Sequence, residues 1–186
     1  SPSADMPPAE MLRHLVRVHN TLVDPSRMVH RRTYELAGRY RAQFTLAQDF
    51  DFWLRAMLVG RFRHIGGEPL IKLRRHGDNF SDESNRALEI QQVEMALTEL
   101  IEKVPLQQLV PELDWPVIDP RAGERRAFEK LAEVFEKRGL PLPGLAAKMR
   151  ELAAAVADPD PPRRDRGKLL MTSFGFNDSG GTTIPR

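Results

Sequence analysis

The 186-residue chain contains no cysteine, which excludes disulfide bonds and thiol catalysis and fits a reducing compartment. It is poor in aromatic residues, at 7%, with two tryptophans and two tyrosines. It has no apolar run near the roughly 20 residues that a membrane-spanning helix needs. Residues 1–8 are polar and rich in proline, unlike the apolar centre of a signal peptide. These absences leave a chain whose hydrophobic residues, 41% of the total, can build a packed core.

The net charge of +2 is small but unevenly distributed. Residues 1–81 hold 13 Lys and Arg against 8 Asp and Glu, whereas residues 82–186 hold 15 against 18. A basic half suits an anionic substrate such as a nucleotide diphosphate. The alternative is that these arginines are solvated surface residues with no ligand. A nucleic-acid-binding module is disfavoured, because the charge is small and the chain carries no recognised binding motif.

An acidic pair opens the most distinctive stretch. Asp49 and Asp51 precede an apolar run that continues to Gly60, which predicts a helix with both carboxylates near its N-terminus. The helix dipole favours anions at that end. Taken alone, the pair is best explained as an N-cap and a first-turn acid on a core helix.

Apolar spacing predicts the other elements. Helices are predicted over residues 9–20, at 33–37, from Ser81 to about Val104, and as a pair of helices after Pro120 that form a hairpin. The proline-rich residues 105–120 predict an irregular connector, in which Trp115 is a packing anchor. Short strands are predicted at 28–29, 62–65, 70–74 and 168–174.

Several short motifs follow one another in the chain: Arg31-Arg32, Gly38-Arg39-Tyr40, Gln48-Asp49 with Phe52-Trp53-Leu54-Arg55, and Arg74-Arg75-His76 with Ser81. This ordered series resembles the C-terminal half of a family 2 glycosyltransferase of the GT-A fold. The resemblance covers roughly residues 10–105, and Asp49 falls on the catalytic-base position of that family. Gln48 precedes it where the family more often has Glu.

The resemblance implies transfer of a sugar from a nucleotide-diphosphate donor to an acceptor hydroxyl, with inversion. Asp49 would be the catalytic base, and Arg74 and His76 would contact the donor diphosphate. His76 would also hold a divalent metal, Mg or Mn. The acceptor site would be shaped by three residues, Gly38, Tyr40 and Trp53.

Several of these residues have an alternative interpretation. Gly38 is equally well explained as the C-cap of a short helix, and Trp53 as a core residue. The Asp49-x-Asp51 spacing also matches the Asp-x-Asp metal motif of the family, although that motif normally precedes this region.

The resemblance also predicts the domain organisation. Residues 1–105 would be the acceptor-side half of a GT-A domain, 106–157 a helical extension and 158–167 a charged, proline-rich linker. Residues 168–186 resemble the first strand and glycine loop of a family 4 glycosyltransferase of the GT-B fold. The expected fold class is therefore α/β, an incomplete GT-A domain with a helical C-terminal extension that is mostly helical as a fragment. The chain is expected to be a piece of a longer polypeptide and inactive in isolation.

The resulting hypothesis is a hexosyltransferase of cell-surface polysaccharide or glycan synthesis, acting on a glycan or lipid-linked acceptor. It would lie in the cytoplasm or at the inner face of the membrane, with no transmembrane segment. The alternative function is a non-catalytic helical interaction or scaffold module, with a nucleic-acid-binding domain as a third possibility.

Overall fold

The computed structural model describes residues 6–22, 24–65, 67–68, 71–72, 83–115 and 117–156. Within these ranges the chain is mostly helical, with seven α-helices, two single 3₁₀ turns at Asp24–Ser26 and Glu83–Asn85, and no strand. The α-helices are α1 (Pro8–Arg17), α2 (Arg31–Ala37), α3 (Gln48–Met57), α4 (Arg86–Lys103), α5 (Leu106–Leu109), α6 (Pro120–Lys137) and α7 (Pro143–Ala155).

The predicted helical hairpin is confirmed as α6 and α7, which make the most extensive helix–helix contact among the described residues. Asp119 caps α6, because its carboxylate accepts hydrogen bonds from the backbone N–H groups of Arg121 (3.0 Å) and Ala122 (3.1 Å). Pro120 follows at the first helical position, where its missing N–H costs nothing. The two helices then bury apolar faces at helical spacing, led by Leu131, Phe135, Leu145 and Met149.

The hairpin shares a hydrophobic core with the helices that precede it. α3 packs against α1, α2 and α4, and α7 contacts α4. The buried side chains of these helices form one cluster. Hydrogen bonds near the turn of the hairpin also join it to the earlier helices. The backbone N–H of Gly139 donates to Val18 O (3.1 Å), and Glu94 accepts from the N–H of Leu145 (2.9 Å).

The connector between α4 and α6 is largely irregular, as predicted, although α5 forms one turn within it. Trp115 is a packing anchor: its Nε1 donates to Val110 O at 2.8 Å, and its ring lies against Gly123 of α6. A Cβ at Gly123 would lie 2.9 Å from Trp115 Cζ3, so only glycine allows this close approach.

Two predicted strands are wrong. Residues 28–29 and 62–65 are irregular. The side chain of Met28 is 97% exposed and that of Ile65 is 79% exposed, whereas Val29 and Phe62 are partly buried against the hydrophobic core. Each segment therefore contacts the helical core without forming a strand. The helix predicted from Ser81 begins later than expected. α4 begins at Arg86, after the 3₁₀ turn at Glu83–Asn85.

The predicted strand at 168–174, most of that at 70–74, and Ser81 lie outside the described residues. The mostly helical character predicted for the chain is confirmed over the described ranges. None of the helices described there combines the length and the apolar composition needed to cross a bilayer.

Candidate functional site

Asp49 lies in the first turn of α3, as predicted, and its side chain is half-buried. The N-cap is Ala47, so the explanation of one aspartate as an N-cap is wrong. Its Oδ2 accepts a hydrogen bond from Asn20 Nδ2 at 2.8 Å, and its Oδ1 accepts one from the backbone N–H of Phe50 at 2.7 Å. Burial raises the pKa of the Asp49 carboxyl above its ordinary value, and the nearby charge of Asp24 acts in the same direction. The bonds from Phe50 and Asn20 oppose this shift. A carboxylate with a raised pKa is a stronger proton acceptor than an ordinary surface aspartate.

Asn20 orients this carboxylate from the loop that follows α1. The backbone N–H of Leu22 donates to Asn20 Oδ1 at 3.2 Å, which fixes the amide so that its NH₂ group faces Asp49. Asn20 was predicted as the last residue of the helix over 9–20, but α1 ends at Arg17, and no sequence pattern indicated that Asn20 contacts a residue 29 positions later. Only the tertiary packing of α1 beside α3 brings the two together.

The start of α3 is held in place by Gln92, a buried residue of α4. Gln92 Oε1 accepts hydrogen bonds from three successive backbone N–H groups, those of Thr45 (3.0 Å), Leu46 (2.8 Å) and Ala47 (3.1 Å). Its Nε2 donates to Thr45 Oγ1 at 2.9 Å. Gln92 therefore fixes the segment that delivers Asp49 to its position, a role that no local sequence pattern indicates.

Asp51 has a different environment although it is only two residues away. It is 2% exposed and accepts hydrogen bonds from two arginines: Arg41 contacts Oδ1 and Oδ2, and Arg55 donates to Oδ2 through Nη2 at 2.8 Å and Nε at 3.2 Å. Arg41 also pairs with Glu99 of α4 at 2.8 Å. Residues i and i+2 of a helix point in different directions, so Asp49 and Asp51 do not face a common ligand. This geometry favours a structural ion-pair role for Asp51 over the Asp-x-Asp metal interpretation.

Arg55 connects α3 to the turn that carries two predicted acceptor residues. Its guanidinium donates to the backbone carbonyls of Ala37 and Arg39, the latter at 3.0 Å, on either side of Gly38. Gly38 has φ +81° and ends α2, so its interpretation as a C-cap is confirmed. The same helix therefore carries Asp49 and anchors the Gly38 turn.

Tyr40 follows this turn and lies over the aromatic side of α3. Its hydroxyl donates to Asp24 Oδ1 at 2.7 Å, and its ring contacts Phe52 edge-on at a centroid distance of 5.1 Å. Burial and the bond to Asp24 raise the pKa of the Tyr40 hydroxyl. Asp24 therefore accepts a hydrogen bond from Tyr40, and its charge also raises the pKa of Asp49.

The remaining predicted site residues are not gathered at this position. Trp53 is buried, with its ring 5.0 Å from that of Phe52, so the structure favours its alternative interpretation as a core residue. Arg74 and His76, predicted to contact the donor diphosphate and the metal, lie outside the described residues. Their predicted roles stay predictions.

A metal site is not evident in the part of the chain that the structure describes. No group of three His, Cys, Asp or Glu side chains there is arranged to hold an ion, and the oxygens of Asp51 are taken by arginines. Comparison of the chain with protein-family models, with curated proteins and with solved structures finds no match.

Proposed function

We propose that this chain provides the acceptor side of an inverting glycosyltransferase, with Asp49 as the catalytic base. The observation that carries the proposal is the carboxylate of Asp49: half-buried, oriented by Asn20, and with a pKa raised by burial. General bases are commonly tuned in this way, because burial brings the pKa of a carboxyl closer to the working pH. Residues 1–105 would then be the acceptor-side half of a GT-A domain, and residues 106–157 its helical extension.

In the proposed reaction, the acceptor hydroxyl oxygen bonds to the anomeric carbon of the donor sugar. The bond from that carbon to the nucleotide diphosphate breaks, and the diphosphate leaves with the electron pair. Asp49 takes the proton of the hydroxyl in the same step. Attack and departure on opposite faces of the carbon give inversion.

In this proposal, the Gly38–Tyr40 turn contributes to acceptor binding. The Gly38–Tyr40 turn is tied to α3 through Arg55, and the Tyr40 hydroxyl is tied to Asp24. Tyr40 remains 42% exposed, so its ring can present a partly apolar surface to a sugar. The divalent metal implied by the resemblance would need His76, and no step proposed above runs through a metal.

The donor in this proposal is a nucleotide-diphosphate sugar, and the acceptor is a glycan or a lipid-linked glycan. The reaction would serve polysaccharide synthesis on the cytoplasmic side of the membrane. These assignments rest on the ordered motifs of residues 10–105 together with the environment of Asp49.

The test is transfer of radiolabelled sugar, across the common nucleotide donors, by the natural polypeptide in which this chain occurs. We expect Asp49→Asn to reduce turnover by about a hundredfold or more, since general base catalysis commonly contributes that much. Donor binding should change little, because the carboxylate acts on the acceptor. Asp114→Asn, which neutralises an exposed aspartate of the connector, is the matched control and should retain activity. Full activity in Asp49→Asn would refute Asp49 as the base.

A helical scaffold is the second candidate function, and it is favoured by the mostly helical described chain. The two functions differ in one measurement. A scaffold predicts that Asp49→Asn leaves the activity of the natural polypeptide intact.

A further inference from the structure

A groove beside α1 and α6 is lined mainly by cationic side chains. Its volume is about 210 Å³. Since a water molecule takes about 30 Å³, this is room for an ion of several heavy atoms. The lining residues are Arg17, Lys130, Glu133, Val134, Lys137 and Arg138.

Two of these arginines have buried N–H groups with no hydrogen-bond acceptor among the described residues. They are the Nε of Arg17 and the Nε and Nη1 of Arg138. Arg138 is only 5% exposed, and the one hydrogen bond of its guanidinium to a described residue runs from Nη2 to Leu15 O at 3.2 Å. Buried donors without acceptors are costly, so native structures nearly always satisfy them.

The charges around the groove are also unbalanced. Glu112 pairs with both Arg17 (2.8 Å) and Lys130 (3.4 Å), and Glu133 pairs with Lys137 at 3.7 Å on the exposed rim. No carboxylate of the described residues pairs with Arg138, whose guanidinium lies 5.8 Å from the centroid of the Phe50 ring. Burial without a counter-ion lowers the pKa of Arg138 to about 10.

We propose that this groove binds a small oxyanion, a phosphate or carboxylate group, between the buried arginines and the lysine rim. An oxyanion supplies the acceptors that Arg17 and Arg138 lack and the negative charge that Arg138 lacks. Lys130 and Lys137 are 44% and 76% exposed, so their side chains can turn aside to admit it. This proposal does not depend on sugar transfer.

The test follows the side-chain ¹⁵Nε resonances of Arg17 and Arg138 in the full chain during titration with inorganic phosphate. Ionic strength is held constant, and acetate and chloride are titrated in parallel. We expect saturable shifts of both resonances with phosphate, weaker binding of acetate, and no saturable shift with chloride. Absence of saturation with phosphate and acetate, or an equal response to chloride, would overturn the proposal.

Two lysine variants make the test specific. Lys130→Gln removes a rim charge, and Lys148→Gln removes a lysine of equal exposure (43%) that pairs with Glu102 at 3.6 Å away from the groove. We expect Lys130→Gln to weaken phosphate binding about two- to fivefold, as for the loss of a half-exposed ion pair, and Lys148→Gln to leave it unchanged. Equal weakening by both would show general charge attraction and overturn a defined site.

Arg138→Met removes the buried cation while keeping most of its apolar volume. Phosphate binding should fall at least tenfold, because the variant removes both the charge and the guanidinium donors. If this variant does not fold, the comparison of Lys130→Gln with Lys148→Gln decides the question alone. Unchanged phosphate affinity in a folded Arg138→Met protein would contradict the proposal.

Discussion

Replacing Gln92 by alanine tests how α3 is held in position. The substitution removes the one acceptor shared by the backbone N–H groups of Thr45, Leu46 and Ala47, and the donor to Thr45 Oγ1. Thr45 is exposed, so water can replace its lost bond, whereas the N–H of Ala47 is buried. The variant therefore leaves at least one backbone donor unsatisfied in the interior.

The expected loss follows from these contacts. A net contribution of about 0.5–1.5 kcal/mol per hydrogen bond, with about 1–3 kcal/mol for a buried donor left unpaired, gives a loss of roughly 2–4 kcal/mol in the free energy of unfolding. For a chain of this size, that corresponds to a fall in melting temperature of roughly 4–16 °C.

Urea denaturation followed by circular dichroism measures the loss, with two comparison variants. Gln91→Ala changes the same residue type one position away, where the side chain is exposed, and should alter stability by less than about 0.5 kcal/mol. Gln92→Met keeps the buried volume but not the acceptor, and should be nearly as unstable as Gln92→Ala. If Gln92→Met matches the wild-type protein, packing and not hydrogen bonding holds the segment, and the reasoning fails.

Two further predictions concern the acidic pair. Asp51→Asn should destabilise the chain by about 1.5–3 kcal/mol in urea denaturation, because it removes the charge that Arg41 and Arg55 share, while both arginines keep other partners. Glu133→Gln, on the surface, is the control, and an equal loss there would contradict the prediction. Asp49→Asn should raise the melting temperature at pH 7. The folded-state pKa of Asp49 is raised, so its ionised form destabilises the fold above that pKa, and the gain should shrink as the pH falls and the wild-type carboxyl becomes protonated. A gain that does not change with pH would show that ionisation is not its cause.

The sequence predicted the elements that depend on local spacing. α6 and α7 follow from apolar residues repeating every three or four positions, and the end of α2 follows from Gly38, because a residue with φ near +81° is best supplied by glycine. The predicted strand at 28–29 is wrong because two adjacent apolar residues fit many structures, and here Met28 faces solvent.

The candidate site was only partly predictable, because local spacing indicates helices but not which distant residues they bring together. Asp49 was found because it opens an apolar helix. Gln92 and Asn20, which position it, lie 45 and 29 residues from their partners, and contacts over such separations depend on how the helices pack. The sequence suggested Asp51 as a further residue of the site, and only the fold shows that it pairs with two arginines, Arg41 and Arg55.

The most direct test of Asp49 as the base compares two titrations of the natural polypeptide. The first is the acid limb of the pH profile of kcat/KM for sugar transfer, and the second is the ¹³C resonance of the Asp49 carboxyl by NMR. The account predicts that both report the same pKa, above the ordinary value for aspartate. It also predicts that Asn20→Ala, which removes a hydrogen bond to the ionised form, moves both upward together. A rate profile that keeps its position while the carboxyl titration moves would contradict Asp49 as the catalytic base.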